Sequence, residues 1–341
     1  MKSFFSLIRL IFFNFFIFFI FLGFIELILG SWFKNNFNLR LSSERNIDRI
    51  YNFHFKNHKG YSHYIRDDYG FRIKENKINP GLINIVFAGG STINQKFLNY
   101  EETIVGILDN KIKKYKLVNS GVDGMSIIGH INSFDFWYNK INNFKPLYYI
   151  FYIGVNDQFI FTSGKTKSID ELKESSLKEQ LREYFEANSF LYKQFRIFKS
   201  SLFLKYNSQK GVNIVNEKTV VYHERSNDEF NSYIQFQEKK IDYEKYQIYN
   251  SYLEKLTNKV IKSGSNIIYL TQTSGHGMND NLYLISFTIM DHCKKFDLIC
   301  LNLAKDAGLE YEDFYDHLHL NRRGSIKVSN YLYKNLFNRI N

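Results

Sequence analysis

An α/β fold with a parallel sheet covered by helices is what the sequence predicts, on three observations. Five short runs rich in β-branched and aromatic residues, "INIVFA", "KLVN", "LYYIFYIG", "NIIYLTQ" and "DLICLNL", begin at residues 83, 116, 147, 266 and 297. Segments with helical spacing, such as "ETIVGILDNKIKK" and "NSYLEKLTNKVIKSG", fall between them. The runs are nearly continuous in apolar character, as strands buried on both faces must be.

The elements follow in chain order. Leu10 to Leu29 is a 20-residue apolar stretch broken only by Asn14 and Glu26, long enough as a helix to cross roughly 30 Å of hydrocarbon. A cleavable signal peptide would have a shorter apolar core ending in small residues, whereas this one ends in Leu27-Ile28-Leu29-Gly30-Ser31-Trp32. Residues 1–33 are therefore read as a retained transmembrane anchor. Lys2 and Arg9 precede the span and Lys34, Arg40, Arg45 and Arg49 follow it, so charge does not set its orientation. Residues 34–82 lack clear periodicity and are expected to form a stalk and an irregular extension, which includes "DDYGFR" (Asp67 to Arg72). The alternating region occupies 83–341, interrupted at about 158–242 by charged, helix-leaning sequence expected to be a helical insertion over the strand ends. No repeat and no Pro- or Gly-rich linker divides this region, so one domain is expected there.

The net charge of +11 invites a nucleic-acid reading. Lysine, asparagine, isoleucine and phenylalanine are abundant throughout and proline occurs only twice, the pattern of an A+T-rich genome. The cations are scattered rather than gathered with interleaved aromatics on one element, so no nucleic-acid partner is expected. Cys293 and Cys300 are too few for a disulfide scaffold and wrongly spaced for a zinc site. Cys300, inside an apolar run, reads as a small buried hydrophobe, with a bridge to Cys293 open outside the cytoplasm.

Ligands of a parallel open sheet bind where the strands end. The first run delivers Gly89-Gly90-Ser91-Thr92, which allows a tight turn and sets Ser91 at the start of the next segment. It lacks the second glycine of a G-x-S-x-G elbow, Ile93 standing there, and the lysine of a phosphate loop. The second delivers "NSGVDGMS", whose Gly124 offers an unobstructed backbone amide, and the third delivers Asn156, an uncharged donor suited to a developing negative charge. Near the end, "YDHLHLNRRG" sets Asp316 three residues before His319, a spacing that lets the carboxylate fix the imidazole tautomer. Taken singly, each block has an ordinary reading as a turn, a cap or surface charge. Their order along successive strand ends does not.

Gly89-Gly90-Ser91, Gly124, Gly154-x-Asn156-Asp157 and Asp316-x-x-His319 resemble blocks I, II, III and V of the SGNH (GDSL-type) hydrolase superfamily, from about residue 83 to 341. The resemblance implies a flavodoxin-like three-layer α/β/α fold. It implies Ser91 as nucleophile, His319 as general base and then acid, and Asp316 as its orienter. The amides of Ser91 and Gly124 and the Asn156 side chain would form the oxyanion hole, with no metal or organic cofactor. Gly90 departs from the usual Gly-Asp-Ser, a variant familiar among anchored cell-envelope members, whose lead-in "DDYGFR" also resembles.

The expected function is a serine esterase acting on acyl, foremost O-acetyl, esters of an extracytoplasmic carbohydrate, held at the periplasmic side of the inner membrane by its helix. Two alternatives use the same residues differently: an O-acetyltransferase acylating envelope polysaccharide, and a catalytically idle glycan-binding protein. Of the remaining candidates, His317 is expected to be exposed, His276 to lie in a loop near the crevice, His130 to be structural, and Asp157 to cap a turn.

Overall fold

The computed structural model describes residues 2–33, 45, 47–55, 58–74, 79–162, 177–195, 198, 212–215, 218–224, 234 and 236–340. They divide into two units, Met1–Asn38 with Glu174–Ser208, and Leu39–Lys173 with Gln209–Asn341. Part of the segment expected as an insertion thus groups with the N-terminal helix.

In the smaller unit, α1 (Lys2–Leu29) contains the stretch Arg9–Leu29, long and apolar enough to cross a membrane, with a mean hydropathy of 2.5. In the larger unit, β1 (Ile47–Phe55), β2 (His58–Arg66), β3 (Arg72–Ile73), β4 (Ile85–Gly89), β5 (Leu117–Asn119), β6 (Tyr148–Tyr152), β7 (Val212–Val215), β8 (Lys218–Glu224), β9 (Asn266–Leu270) and β10 (Ile299–Leu301) form one sheet. Its order is β10-β9-β6-β4-β5-β3-β2-β1-β8-β7. The first five are mutually parallel and are the five runs anticipated from sequence. The chain leaves β4 for β5 on one side and returns to β6 on the other, so the end of β4 is the switch point where a ligand crevice opens.

Helices cover both faces. In this unit they are α2 (Ser91–Asn94), α3 (Ile104–Lys111), α4 (Ile127–Phe136), α5 (Gln158–Thr162), α7 (Tyr243–Lys262), α8 (Asp280–Phe296), α9 (Leu303–Asp306) and α10 (Arg322–Leu332), while α6 (Leu177–Asn188) belongs to the smaller unit. Side chains alternate along each strand. Ile85 and Phe87 of β4 join Ile104 and Leu108 of α3 and Val328 and Leu332 of α10 in one core. Tyr149 of β6 meets Phe134 of α4 on the opposite face, and the Tyr269 hydroxyl of β9 donates to the Leu253 carbonyl of α7. Thr103, Asp242, Asn279 and Asn321 cap α3, α7, α8 and α10 through their side-chain oxygens, as such residues do at helix starts. The three layers anticipated from the sequence are present.

Two expectations are corrected. The extension at 34–82 is not irregular throughout: β1 and β2 pair antiparallel from Ile47↔Arg66 to Phe55↔His58 and carry the sheet outward. Their inward residues, among them Tyr51, Phe53, Phe55 and Tyr64, form a second core together with Phe97 and Tyr315. The insertion at 158–242 is only partly helical, since β7 and β8 lie within it and β8 pairs parallel with β1; residues 163–176, 199–211 and 225–233 fall outside the described set. Of the two readings left open for Cys300, the bridge is the one present: it is bonded to Cys293, which ties the last turn of α8 to β10.

Two fully buried arginines connect this extension to the crevice. Arg66 Nη1 of β2 donates to the Gly121 carbonyl at 2.7 Å, and Nη2 to the Gly70 carbonyl. Arg72 of β3 donates to the carbonyls of Asn94, Gln95 and Leu98, directly after α2. Burial lowers the Arg72 pKa to about 10, which leaves it charged at neutral pH. An unsatisfied buried acceptor costs about 1–3 kcal/mol. Arg72→Met, which removes the donor to three carbonyls, should therefore lower the thermal midpoint of the detergent-solubilised full chain by several degrees, read from tryptophan fluorescence. An unchanged midpoint would contradict this account of the loop.

Candidate active site

Gly89 and Gly90 close β4 immediately before Ser91, the first residue of α2. Neither has a positive φ, so the glycines serve close approach and not a left-handed turn. A Cβ on Gly89 would lie 2.7 Å from the Tyr152 carbonyl of β6, and one on Gly90 would overlap the Asn156 amide nitrogen. Gly121 is similarly crowded by the Asn94 backbone. Three strand-end loops thus meet around Ser91 at backbone distance.

Ser91, His319 and Asp316 are joined directly. Ser91 Oγ lies 2.8 Å from His319 Nε2, and His319 Nδ1 lies 2.9 and 2.8 Å from the two Asp316 carboxylate oxygens. With the proton on Nδ1 donated to the carboxylate, Nε2 accepts from the serine hydroxyl. The loop is pinned from within: Asp316 Oδ1 accepts the amides of Leu318 and His319, and the Tyr315 amide donates to the His319 carbonyl. Burial works against the charge of Asp316, but hydrogen bonds from His319 and the two amides outweigh it and hold the pKa at about 2. The carboxylate is therefore ionised at neutral pH and supports an imidazolium beside it.

Asn156 is nearly buried and donates through Nδ2 to the Met125 carbonyl at 3.1 Å, with that nitrogen against Gly90. Gly124 takes a φ of +80° in the β5–α4 loop, where a left-handed residue favours glycine; the preceding Asp123 lines the cavity with Ser91. Asp157 does no acid-base work visible here. Its two oxygens accept the Ile127 amide, at the start of α4, and the Tyr249 hydroxyl, both at 2.7 Å.

The remaining histidines separate by environment. His130 is fully buried in α4, edge-on to Phe151, and burial drives its pKa down to about 3, so it is structural as anticipated. His276 is exposed. His317, expected to be exposed, is half-buried with its ring 6.3 Å from that of His276, because Gly275 donates its amide to the His317 carbonyl and draws the two loops together.

Several site residues were not singled out from sequence. A cavity of about 230 Å³ is lined by Ser91, His319 and Asp316, by the aromatic rings of Phe55, Phe97 and Tyr315, and by Lys96 and Asp123. Lys96 and Asp123 pair at 2.8 Å. Burial works against the Asp123 charge, yet Lys96 and the Asn94 amide hold its pKa below the usual carboxylate range. Asn94 Oδ1 in turn accepts from Tyr64 and Arg66. The Tyr315 ring lies parallel to His319 at 5.5 Å and to His58 at 5.0 Å. The available signal was "DDYGFR": Asp67 accepts the amides of Tyr69 and Phe71 in a turn that presents Arg72 and brings the Gly70 carbonyl to Arg66.

Because the folded pKa of Asp316 is depressed, its charge stabilises the fold above the unfolded pKa of about 3.9 and ceases to as pH falls through about 2. Wild type should lose more thermal stability between pH 4 and pH 2 than Asp316→Asn, whose side chain does not titrate. Equal losses in scanning calorimetry would remove the stabilising role of the charge.

No protein-family model matches the chain, and no curated protein does. Among solved structures, it is similar to a member of the lipolytic protein G-D-S-L family from Veillonella parvula, at 12% identity over 75% of this chain and 98% of that one, with a TM-score of 0.44. It is also similar to a variant of the acetyl xylan esterase Axe2 from Geobacillus stearothermophilus, at 12% identity over 74% of this chain and 96% of that one, with a TM-score of 0.41. A third is LAE5, an alpha/beta hydrolase enzyme from the metagenome of Lake Arreo, at 12% identity over 75% and 97%, with a TM-score of 0.40.

Proposed function

We propose that this chain is a serine esterase of the SGNH type that removes acyl groups, foremost O-acetyl, from a carbohydrate outside the cytoplasm. The observation that carries the reading is the unbroken line from Asp316 through both nitrogens of His319 to the Ser91 hydroxyl. In the proposed reaction Ser91 Oγ attacks the ester carbonyl as His319 Nε2 takes its proton, forming the new C–O bond and a tetrahedral oxyanion. The amides of Ser91 and Gly124 and the Asn156 side chain are assigned to that oxyanion. The intermediate collapses to acyl-serine as His319 returns the proton to the departing sugar oxygen. Water, deprotonated by the same imidazole, then releases the acid and restores Ser91.

Size and lining support a small acyl group on a sugar. The cavity holds about 230 Å³, and its aromatic walls suit a methyl group or the apolar face of a pyranose. The location outside the cytoplasm draws support from the apolar α1 helix and from the Cys293–Cys300 bond, since disulfides persist in oxidising compartments.

A fluorophosphonate probe should label wild type and not Ser91→Ala. Acetate should be released from an acetylated oligosaccharide, and Asn156→Ala should lower kcat ~10²- to 10³-fold with a smaller change in KM. Acetyl groups recovered only on an added sugar acceptor would make acyl transfer the reaction, and Ser91-independent labelling would sink both readings.

A further inference from the structure

We infer that the segment 177–195, with Phe198, is a second membrane contact, lying along the lipid surface where α1 leaves the bilayer. The inference rests on α1 being a retained membrane anchor. In the smaller unit the apolar helix ends against this segment. Glu26, near the end of α1, accepts the amides of Phe190 and Leu191 at 2.9 Å each and the Trp32 indole N–H at 2.8 Å. The Ser31 amide donates to the Asn188 carbonyl at 2.7 Å, and the Trp32 ring packs on Tyr184 and Phe185. A carboxylate at the edge of hydrocarbon is costly unless its oxygens are occupied. Here three N–H groups occupy them, two of which belong to the segment in question.

Among its described side chains the segment exposes an apolar stripe. Leu177, Leu181, Tyr184 and Phe185 follow the i, i+4, i+7, i+8 spacing of one helical stripe, and they are 74%, 50%, 51% and 45% exposed. Phe195 and Phe198 continue the exposure at 62% and 59%. α6 carries Lys178 and Arg182 against Glu179, Glu183 and Glu186, while from Ser189 to Ser200 the charged residues are Lys193, Arg196 and Lys199, all cationic. An exposed apolar stripe, with tryptophan and tyrosine at the end of a membrane span, matches an interfacial helix on a bilayer. A protein partner would leave the tie to the end of α1 unexplained, whereas a lipid surface begins there.

The test uses the full chain in vesicles of phosphatidylcholine and phosphatidylglycerol. Nitroxide labels are placed on single cysteines introduced as Phe185→Cys, Phe195→Cys, Phe12→Cys in α1 and Lys255→Cys on exposed α7, and relaxation by oxygen is compared with relaxation by a water-soluble nickel chelate. Labels at 185 and 195 should resemble that at 12, with an oxygen-to-nickel ratio several-fold above that at 255. If 185 and 195 behave like 255 while 12 stays oxygen-rich, the anchor stands and the second contact is wrong. If 12 is itself nickel-accessible, the anchor reading fails and this inference falls with it.

Discussion

The structure turns on how closely three strand-end loops approach one another at the end of β4. Gly89 faces a β6 carbonyl, Gly90 faces the Asn156 amide, and Gly121 faces the backbone after α2. Side chains at these points would force the loops apart and out of the roughly 2.7–3.2 Å range in which their N–H···O hydrogen bonds form. The departure from Gly-Asp-Ser is intelligible on this ground. With Asn156 nitrogen already filling the space above residue 90, an aspartate there would displace the group assigned to the oxyanion.

Close approach of loops creates a second demand, because loop carbonyls buried without a sheet or helix need donors. Arg66 and Arg72 meet it from outside the parallel core. A guanidinium offers five N–H groups in a fixed fork, more than any other side chain, and cannot be neutralised at physiological pH. Both arginines are buried and reach backbone carbonyls on both sides of the nucleophile turn. This explains why charged side chains sit where apolar packing would otherwise be favoured. Burial lowers the Arg72 pKa to about 10, yet the guanidinium still donates to three carbonyls at once.

The parallel core and the proposed triad were legible because each carries a local signature. Buried parallel strands read as continuous apolar runs, and a serine after two glycines or an aspartate three residues before a histidine can be found by eye. The rest depends on pairing between distant segments. In β1 the alternation of Tyr51, Phe53 and Phe55 with Asn52 and His54 has the period of a strand, yet it is short and broken by Asp48 and Arg49, so it passed as aperiodic. Lys96 and Asp123 are unremarkable until the fold sets them 2.8 Å apart. The Cys293–Cys300 bond needed the crossing of α8 and β10 to be known. The insertion read as helical because α6 has helical spacing, whereas the pairing of β8 with β1 joins segments more than 160 residues apart.

The β1–β2 hairpin, read from sequence as a spacer, is part of the cavity wall. Phe55 lines it directly, and His58 stacks on Tyr315, which stacks in turn on His319. Acyl transfer requires His319 to become an imidazolium, and its surroundings suit that change. Asp316 stays ionised on one side, while the Tyr315 ring presents a π-face to the developing cation. Burial pulls the His58 pKa below its ordinary value, and its Nε2 donates to the Phe97 carbonyl at 2.6 Å, so the far member of the stack is neutral at pH 7 and adds no repulsion. The cavity therefore takes one wall from the hairpin that starts at Ile47, as well as from the loops of the parallel core.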